Sequence, residues 1–147
     1  MLGEIYDFEL GTGFQEFEFD SIGPKGVIRK VVQYSETNLK DLYNLGFGDK
    51  DNKTNKINDL TITNNGDSQK VLATVASTLL VFTEYFPEAS VIAVGATLAR
   101  TRLYRIGISN NLDAIEKDFH VYGLKNNKWH KFAKNIPYDA FLVKRKR

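Results

Sequence analysis

The sequence predicts an α+β fold: a mainly antiparallel sheet from an N-terminal strand meander, then helix-strand-helix, then a C-terminal hairpin and a final strand. Three observations carry this. Apolar and polar residues alternate with period two across residues 14–22. Apolar residues recur at steps of three and four across residues 68–86. A short β-branched run at Ser90–Val94 separates that helical pattern from a second one. Period two marks a half-buried strand, and period 3.6 marks a helix with one apolar face.

In chain order, Glu4–Leu10 is a first short strand, closed by Gly11-Thr12-Gly13. Phe14–Ile22 follows, with Phe17 and Phe19 on one face and Glu16, Glu18 and Asp20 on the other. Gly23-Pro24-Lys25-Gly26 makes the turn to a hairpin partner, Val27–Tyr34. Arg29 and Lys30 are both available to face the acidic strand. A turn of two or three residues would exchange the faces, so the register stays open. Opposite charges paired across the hairpin account for the three carboxylates better than a carboxylate site does. Leu42–Gly48 is the next strand, Asp49–Asn58 a polar loop, and Asp59–Thr63 the end of the meander. The Asp49-x-Asp51 start of that loop has the look of a calcium loop. Thr54 replaces the glycine at its sixth position, and Leu60 replaces the closing glutamate at its twelfth, so calcium is rejected.

Asn64-Asn65-Gly66-Asp67 offers side-chain acceptors for the free N–H groups of a helix start. The helix then runs from Ser68 to Phe86, with Leu72, Val75, Leu79 and Phe82 in its buried stripe and Pro87 ending it. Ser90–Val94 reads as a buried strand. A second helical region spans Leu98–Asp118, broken near Gly107 and Ser109-Asn110-Asn111. His120–Leu124 and Lys128–Phe132 form a hairpin across Lys125-Asn126-Asn127, and Ala140–Val143 is the last strand before the tail Lys144–Arg147.

Length and composition bound the rest. The 147 residues suit one domain, 1–147, with a core of its own. There is no cysteine, which excludes disulfides, thiolate metal sites and cysteine catalysis. No signal-peptide pattern and no membrane-length apolar run is visible, so a cytoplasmic protein without membrane contact, monomeric or weakly homodimeric, is expected. The net charge of +2 hides an asymmetry: residues 1–66 hold seven basic and eleven acidic side chains, leaving thirteen and seven in the remainder.

The candidate site is the turn from the Ser90–Val94 strand into the second helix. Gly95 and Thr97 supply a tight turn and a capping hydroxyl, and Arg100, Arg102 and Arg105 follow. Free N–H groups, a helix dipole and guanidinium forks make an anion cradle there. Arg100 and Arg102 lie about 200° apart around a helix, so both cannot reach one small ligand. Internal pairing of at least one arginine with the acidic first half is the competing expectation. Lys144, Arg145, Lys146 and Arg147 are candidate nucleic-acid contacts. Tyr104, Tyr122, Trp129 and Tyr138 are candidates for a stacking surface, against the blander expectation that aromatic strands are core. His120 and His130 lack a third ligand, so no metal is assigned. No cofactor fingerprint, P-loop lysine or serine-histidine-aspartate arrangement is present, and no catalytic residue is assigned.

The segments SIGPKG, NLGFGDKD, NNGDSQKVLATVAS, GATLARTRLYRIGI, FHVYGL and YDAFLVKRK resemble a family of small bacterial proteins, a domain of unknown function with an A-R-T-R-L-Y signature. The resemblance covers nearly the whole chain. It implies a single domain of fixed length with Ala99–Tyr104 as its signature segment, and it implies no activity. Three function classes follow from the residues. The first is a non-enzymatic binding or regulatory module for a polyanion such as nucleic acid. The second is an enzyme or binder acting on a phosphorylated small molecule. The third is a protein-interaction module.

Overall fold

The computed structural model describes residues 3–51, 53–54, 56–58 and 63–146. Its strands are β1 (Glu9–Leu10), β2 (Glu16–Gly23), β3 (Gly26–Glu36), β4 (Leu42–Lys50), β5 (Ile57–Asn58), β6 (Ser90–Ala93), β7 (Phe119–Lys125), β8 (Lys128–Lys131) and β9 (Ala140–Arg145). Its helices are α1 (Ser68–Tyr85), α2 (Leu98–Asn110) and α3 (Leu112–Asp118). The fold is α+β as expected. The strands form one sheet in the order β1-β2-β3-β4-β6-β9-β7-β8, with β5 beside β4. Every pairing is antiparallel except β4 with β6, which α1 connects. No helix among the described residues is long and apolar enough to cross a membrane.

The β2–β3 hairpin closes on Gly23 opposite Gly26, leaving a two-residue turn, Pro24-Lys25. Gly26 has a φ of +91°, which this tight turn requires and other residues resist. The register puts Asp20 opposite Arg29 and Phe19 opposite Lys30. Arg29 therefore joins the acidic face and Lys30 joins the core. The expectation that both could face the acidic strand is corrected for Lys30. On the outer face, Arg29 pairs with Glu9, Glu18 and Asp20, and Lys50 pairs with Glu18. Burial alone would raise the Glu18 carboxyl, but hydrogen bonds from Lys50 and Arg29 outweigh it and hold the group below its ordinary range.

Helix α1 lies across the inner face of the sheet. Leu72, Val75, Leu79 and Phe82 are buried, and Phe82 stacks on Tyr34 with ring centroids 4.1 Å apart. Thr74, Thr78 and Thr83 share that buried face and return their hydroxyls to carbonyls of α1 itself. Tyr104 of α2 and Ile115 of α3 are buried in the same core, so all three helices cover one face.

Several boundaries differ from those read in the sequence. Of Glu4–Leu10, only Glu9 and Leu10 pair in the sheet; Tyr6 instead crosses α1, its N–H donating to Thr74 Oγ1 and its ring stacking on Phe19. Strand β4 continues past Gly48 through Asp49 and Lys50, because Ile57 and Asn58 return to pair with them. The expected polar loop thus begins inside the sheet. Residues 59–62 of the expected Asp59–Thr63 strand lie outside the described residues. Helix α2 runs through Gly107, and the break falls at Asn111, whose Nδ2 donates to the Gly107 carbonyl. The β7–β8 turn is Asn126-Asn127, both at positive φ, with Lys125 paired to Lys128. Strand β9 continues through Lys144 and Arg145, so half of the expected basic tail is strand.

Candidate functional site

A cleft of about 380 Å³ opens where the starts of α1 and α2 meet the ends of β3 and β4. Its walls include Lys30, Phe47, Asn64, Asp67, Thr97 and Arg100. The parallel β4–β6 pair creates the place. Both strands run toward this end, so the chain leaving β6 turns through Gly95 and Thr97 directly into α2.

Beneath the cleft lies a buried ion pair. The inward phase of β3 (Tyr34, Val32, Lys30) faces that of β4 (Leu45, Phe47, Asp49) rung by rung. The apolar rungs end on Lys30 and Asp49, whose side chains meet at 2.5 Å with Lys30 only 1% exposed. Asp49 Oδ2 also accepts from the Thr63 N–H (3.0 Å) and hydroxyl (2.5 Å), while Lys30 Nζ donates to the Thr63 carbonyl (2.9 Å). The pair therefore fastens Thr63, and with it the approach of Asn64–Asp67 to the cleft.

Asn65 is buried and fully engaged. Its Oδ1 accepts from the Lys25 N–H (2.8 Å) and its Nδ2 donates to the Gly26 carbonyl (2.9 Å), pinning the β2–β3 turn against the start of α1. Asp67 occupies the N-cap position of α1 without capping it. Its Oδ2 instead accepts from the hydroxyls of Tyr6 and Ser21 at 2.5 and 2.6 Å. Burial raises the Tyr6 phenol above its ordinary value, and the hydrogen bond to Asp67 raises it further. The expectation that this segment's side chains accept from the free N–H groups of the helix start is corrected, since none caps α1. Asn64 Oδ1 accepts from the Gly66 N–H and Asn65 Oδ1 from that of Lys25, while Asp67 stands at the N-cap as an acid suited to the positive end. It neutralises the positive end of α1 from a position outside hydrogen-bond reach of the N–H groups.

The start of α2 is arranged differently. Thr97 is its N-cap, with Oγ1 accepting from the Arg100 N–H at 3.1 Å. The N–H groups of Leu98 and Ala99 have no acceptor among the described residues, as the first turn of a helix dictates. Arg100 is only 8% exposed, and its one side-chain hydrogen bond among the described residues, from Nη2 to the Asn58 carbonyl, is long at 3.5 Å. Among the described residues, Arg100, Arg102 and Arg105 form no ion pair; every such pair involves Arg29, Lys30 or Lys50. Arg102 is exposed and Arg105 half-exposed, and neither lines the cleft. Of the three arginines, only Arg100 lines it. Gly95 does not offer its N–H to the cleft, because that group donates to Thr101 Oγ1 at 3.1 Å. Its role is close approach: a Cβ there would lie 2.3 Å from the Thr101 nitrogen.

The basic C-terminus lies elsewhere. Lys144 pairs with Ser90, which pairs with Leu42, at the end of β4 opposite Asp49. Seven residue steps of strand, from Leu42 to Asp49, separate those ends, about 23 Å. Arg145 turns inward and donates to the Leu80 carbonyl and Thr83 Oγ1, and Lys146 Nζ donates to the Glu116 carbonyl. Arg147 lies outside the described residues. Tyr104 and Tyr138 are core, whereas Trp129 is 42% exposed and Tyr122 half-buried. His120 and His130 sit on opposite faces of the β7–β8 hairpin, since the pleat sends residues opposite Lys144 and Gly123 to different sides. No group of three His, Cys, Asp or Glu residues able to hold a metal occurs among the described residues.

Architecture defines the class: an α+β protein with a mixed, mainly antiparallel sheet, helices on one face, and a polar cleft at the sheet end to which its parallel pair points. The chain belongs to the family of unknown function DUF6934, whose model matches residues 3–146. No curated protein and no solved structure matches it. Four of the six segments that carry the family resemblance gather at this cleft, whereas FHVYGL and YDAFLVKRK lie in and around β7 and β9. NLGFGDKD contributes Phe47, NNGDSQ contributes Asn64 and Asp67, and GATLAR contributes Thr97 and Arg100. SIGPKG is held against them by Asn65.

Proposed function

We propose that the protein is a binding module for a phosphorylated small molecule, with the phosphoryl group seated between Arg100 and the start of α2. One observation carries the reading: a guanidinium more than nine-tenths buried lines the cleft with a single weak partner among the described residues. Burying such a charge is costly without partners, and a phosphoryl group supplies several strong acceptors for its fork of donors. The free N–H groups of Leu98 and Ala99 add the favourable end of a helix dipole. Asp49 is matched by Lys30, and Asp67 stands at the start of α1, so among the described residues Arg100 and the start of α2 are the unmatched positive features at the cleft. A compact ligand suits them better than a polyanion, because a concave site of this size takes one group rather than a strand. The carboxylates nearby are held by hydroxyl, amide and ammonium donors, which supports binding over acid–base chemistry.

The test is thermal stability in phosphate and phosphate monoesters against chloride at matched ionic strength. Ligand that binds only the folded state raises Tm by mass action. Arg100→Ala should keep the fold, by circular dichroism, and lose the phosphate-induced rise, while Arg100→Lys keeps part of it. A parent protein without response overturns the reading. So does an Arg100→Ala variant that responds like the parent.

A further inference from the structure

The face of the sheet away from the helices is open over its C-terminal half. The pleat and register place its side chains in rows. Ile92, Leu142, Tyr122 and Lys131 form one row, and Leu124 and Trp129 sit side by side in the next. Lys144 and His120 form a third row at the strand ends. Their neighbours in the opposite phase, Val91, Val121, Phe141 and Val143, are buried beneath the helices. Tyr122, Leu124, Leu142 and Ile92 are only half-buried, and Trp129 is 42% exposed.

Charge sets this half apart. Residues 119–146 contain seven Lys or Arg and a single acidic residue, Asp139. None of those cations forms an ion pair among the described residues, whereas the acidic face over β1–β3 has Arg29 and Lys50 bound to its carboxylates. Two flat aromatic side chains on diagonally related sites of a β-hairpin are thus flanked by unneutralised lysines on an uncovered sheet. A hydrophobic partner surface would not call for the lysines, and a plain phosphate site would not call for the rings. Stacking on Tyr122 and Trp129 with phosphates beside Lys131 and Lys144 uses both.

We infer that the open face of β7, β8 and β9 binds single-stranded nucleic acid, with Trp129 and Tyr122 stacking on bases and Lys131 and Lys144 contacting the backbone. This surface is independent of the Arg100 cleft, which lies on the helix-covered side.

Trp129 is the only tryptophan, so its fluorescence reports the contact directly. Titration with single-stranded oligothymidylate should quench it, and the affinity should fall steeply with salt. Trp129→Ala should weaken binding, followed by the anisotropy of a labelled oligonucleotide, about 5- to 140-fold. Trp129→Phe should retain most of it, and both variants should keep the parent Tm. Lys131→Ala and Lys144→Ala should each lower the salt slope by about 0.7. Arg100→Ala should leave binding unchanged, which separates this inference from the proposed cleft function. Absence of binding at low salt overturns it. Equal binding to duplex, heparin or anionic vesicles without tryptophan quenching overturns it too, as does a dimer in solution that shields Trp129 from both quencher and oligonucleotide.

Discussion

Lys30→Met is the substitution that most directly probes how the cleft is held. Methionine keeps an unbranched apolar stem of similar length opposite Phe19 and removes only the ammonium. Asp49 then keeps the two donors of Thr63 but loses the one cation paired with it among the described residues, and the Thr63 carbonyl loses its ammonium donor. Breaking a buried pair from one side costs about 3–5 kcal/mol, because the remaining charge stays buried without compensation. For a chain of this size that corresponds to a fall in Tm of about 10–16 °C. Urea unfolding by circular dichroism measures the loss, and a double-mutant cycle assigns it. Lys30→Met/Asp49→Asn should recover much of the stability, with a coupling of about 1–3 kcal/mol. A Lys30→Met protein within about 0.5 kcal/mol of the parent, a typical neutral surface change, would refute the reasoning. Additive single mutants would refute it as well.

Leu79→Ala should destabilise by about 2–5 kcal/mol, since Leu79 is buried between α1 and the sheet, and the urea midpoint should fall without a change in slope. Gly95→Ala should destabilise the ligand-free protein by driving a methyl group into the first turn of α2; a variant with the parent's Tm would show that the turn is looser than described. Glu18→Gln tests the outer-face network. The Glu18 carboxyl is held below its ordinary value, so its contribution is present above the unfolded-state pKa and is lost as pH falls through the folded one. The parent should exceed the variant by about 1 kcal/mol near neutrality, and their urea midpoints should converge in acid.

Much of the fold was legible because its elements obey simple periods. Phe17 and Phe19 alternate with carboxylates, and Leu72, Val75, Leu79 and Phe82 recur at helical steps, so burial followed from spacing alone. Misread boundaries fall where a partner distant in sequence decides the matter. Asp49 and Lys50 read as loop because nothing local reveals that Ile57 and Asn58 return to pair with them. Glu4–Phe8 reads as strand because its alternation is real, yet Tyr6 serves α1 and Asp67. The buried threonines of α1 carry no apolar signal at all. They are tolerated inside because each hydroxyl finds a carbonyl one turn back.

The site was half legible for a related reason. The Gly95–Arg105 segment announces a helix start with cationic side chains, and the rotation between Arg100 and Arg102 already says that one of them must turn away. It does not say which. That is set by the side of α2 that meets the sheet, where Tyr104 is buried and Arg100, one turn earlier, shares its face. The other half of the cleft lay in a register. Ile28, Lys30, Val32 and Tyr34 form one phase of β3; Val27, Arg29, Val31 and Gln33 form the other. The first phase is the more apolar and ends in an aromatic ring, so it belongs inside and takes Lys30 with it. On β4 the same argument covers Tyr43, Leu45 and Phe47, and Asp49 joins that phase only once Ile57 and Asn58 extend the strand. A cation and a carboxylate riding the buried phases of two neighbouring strands can be stable only if they meet. That requirement fixes the β3–β4 register on Lys30 opposite Asp49, and it brings Thr63 and the start of α1 to Arg100.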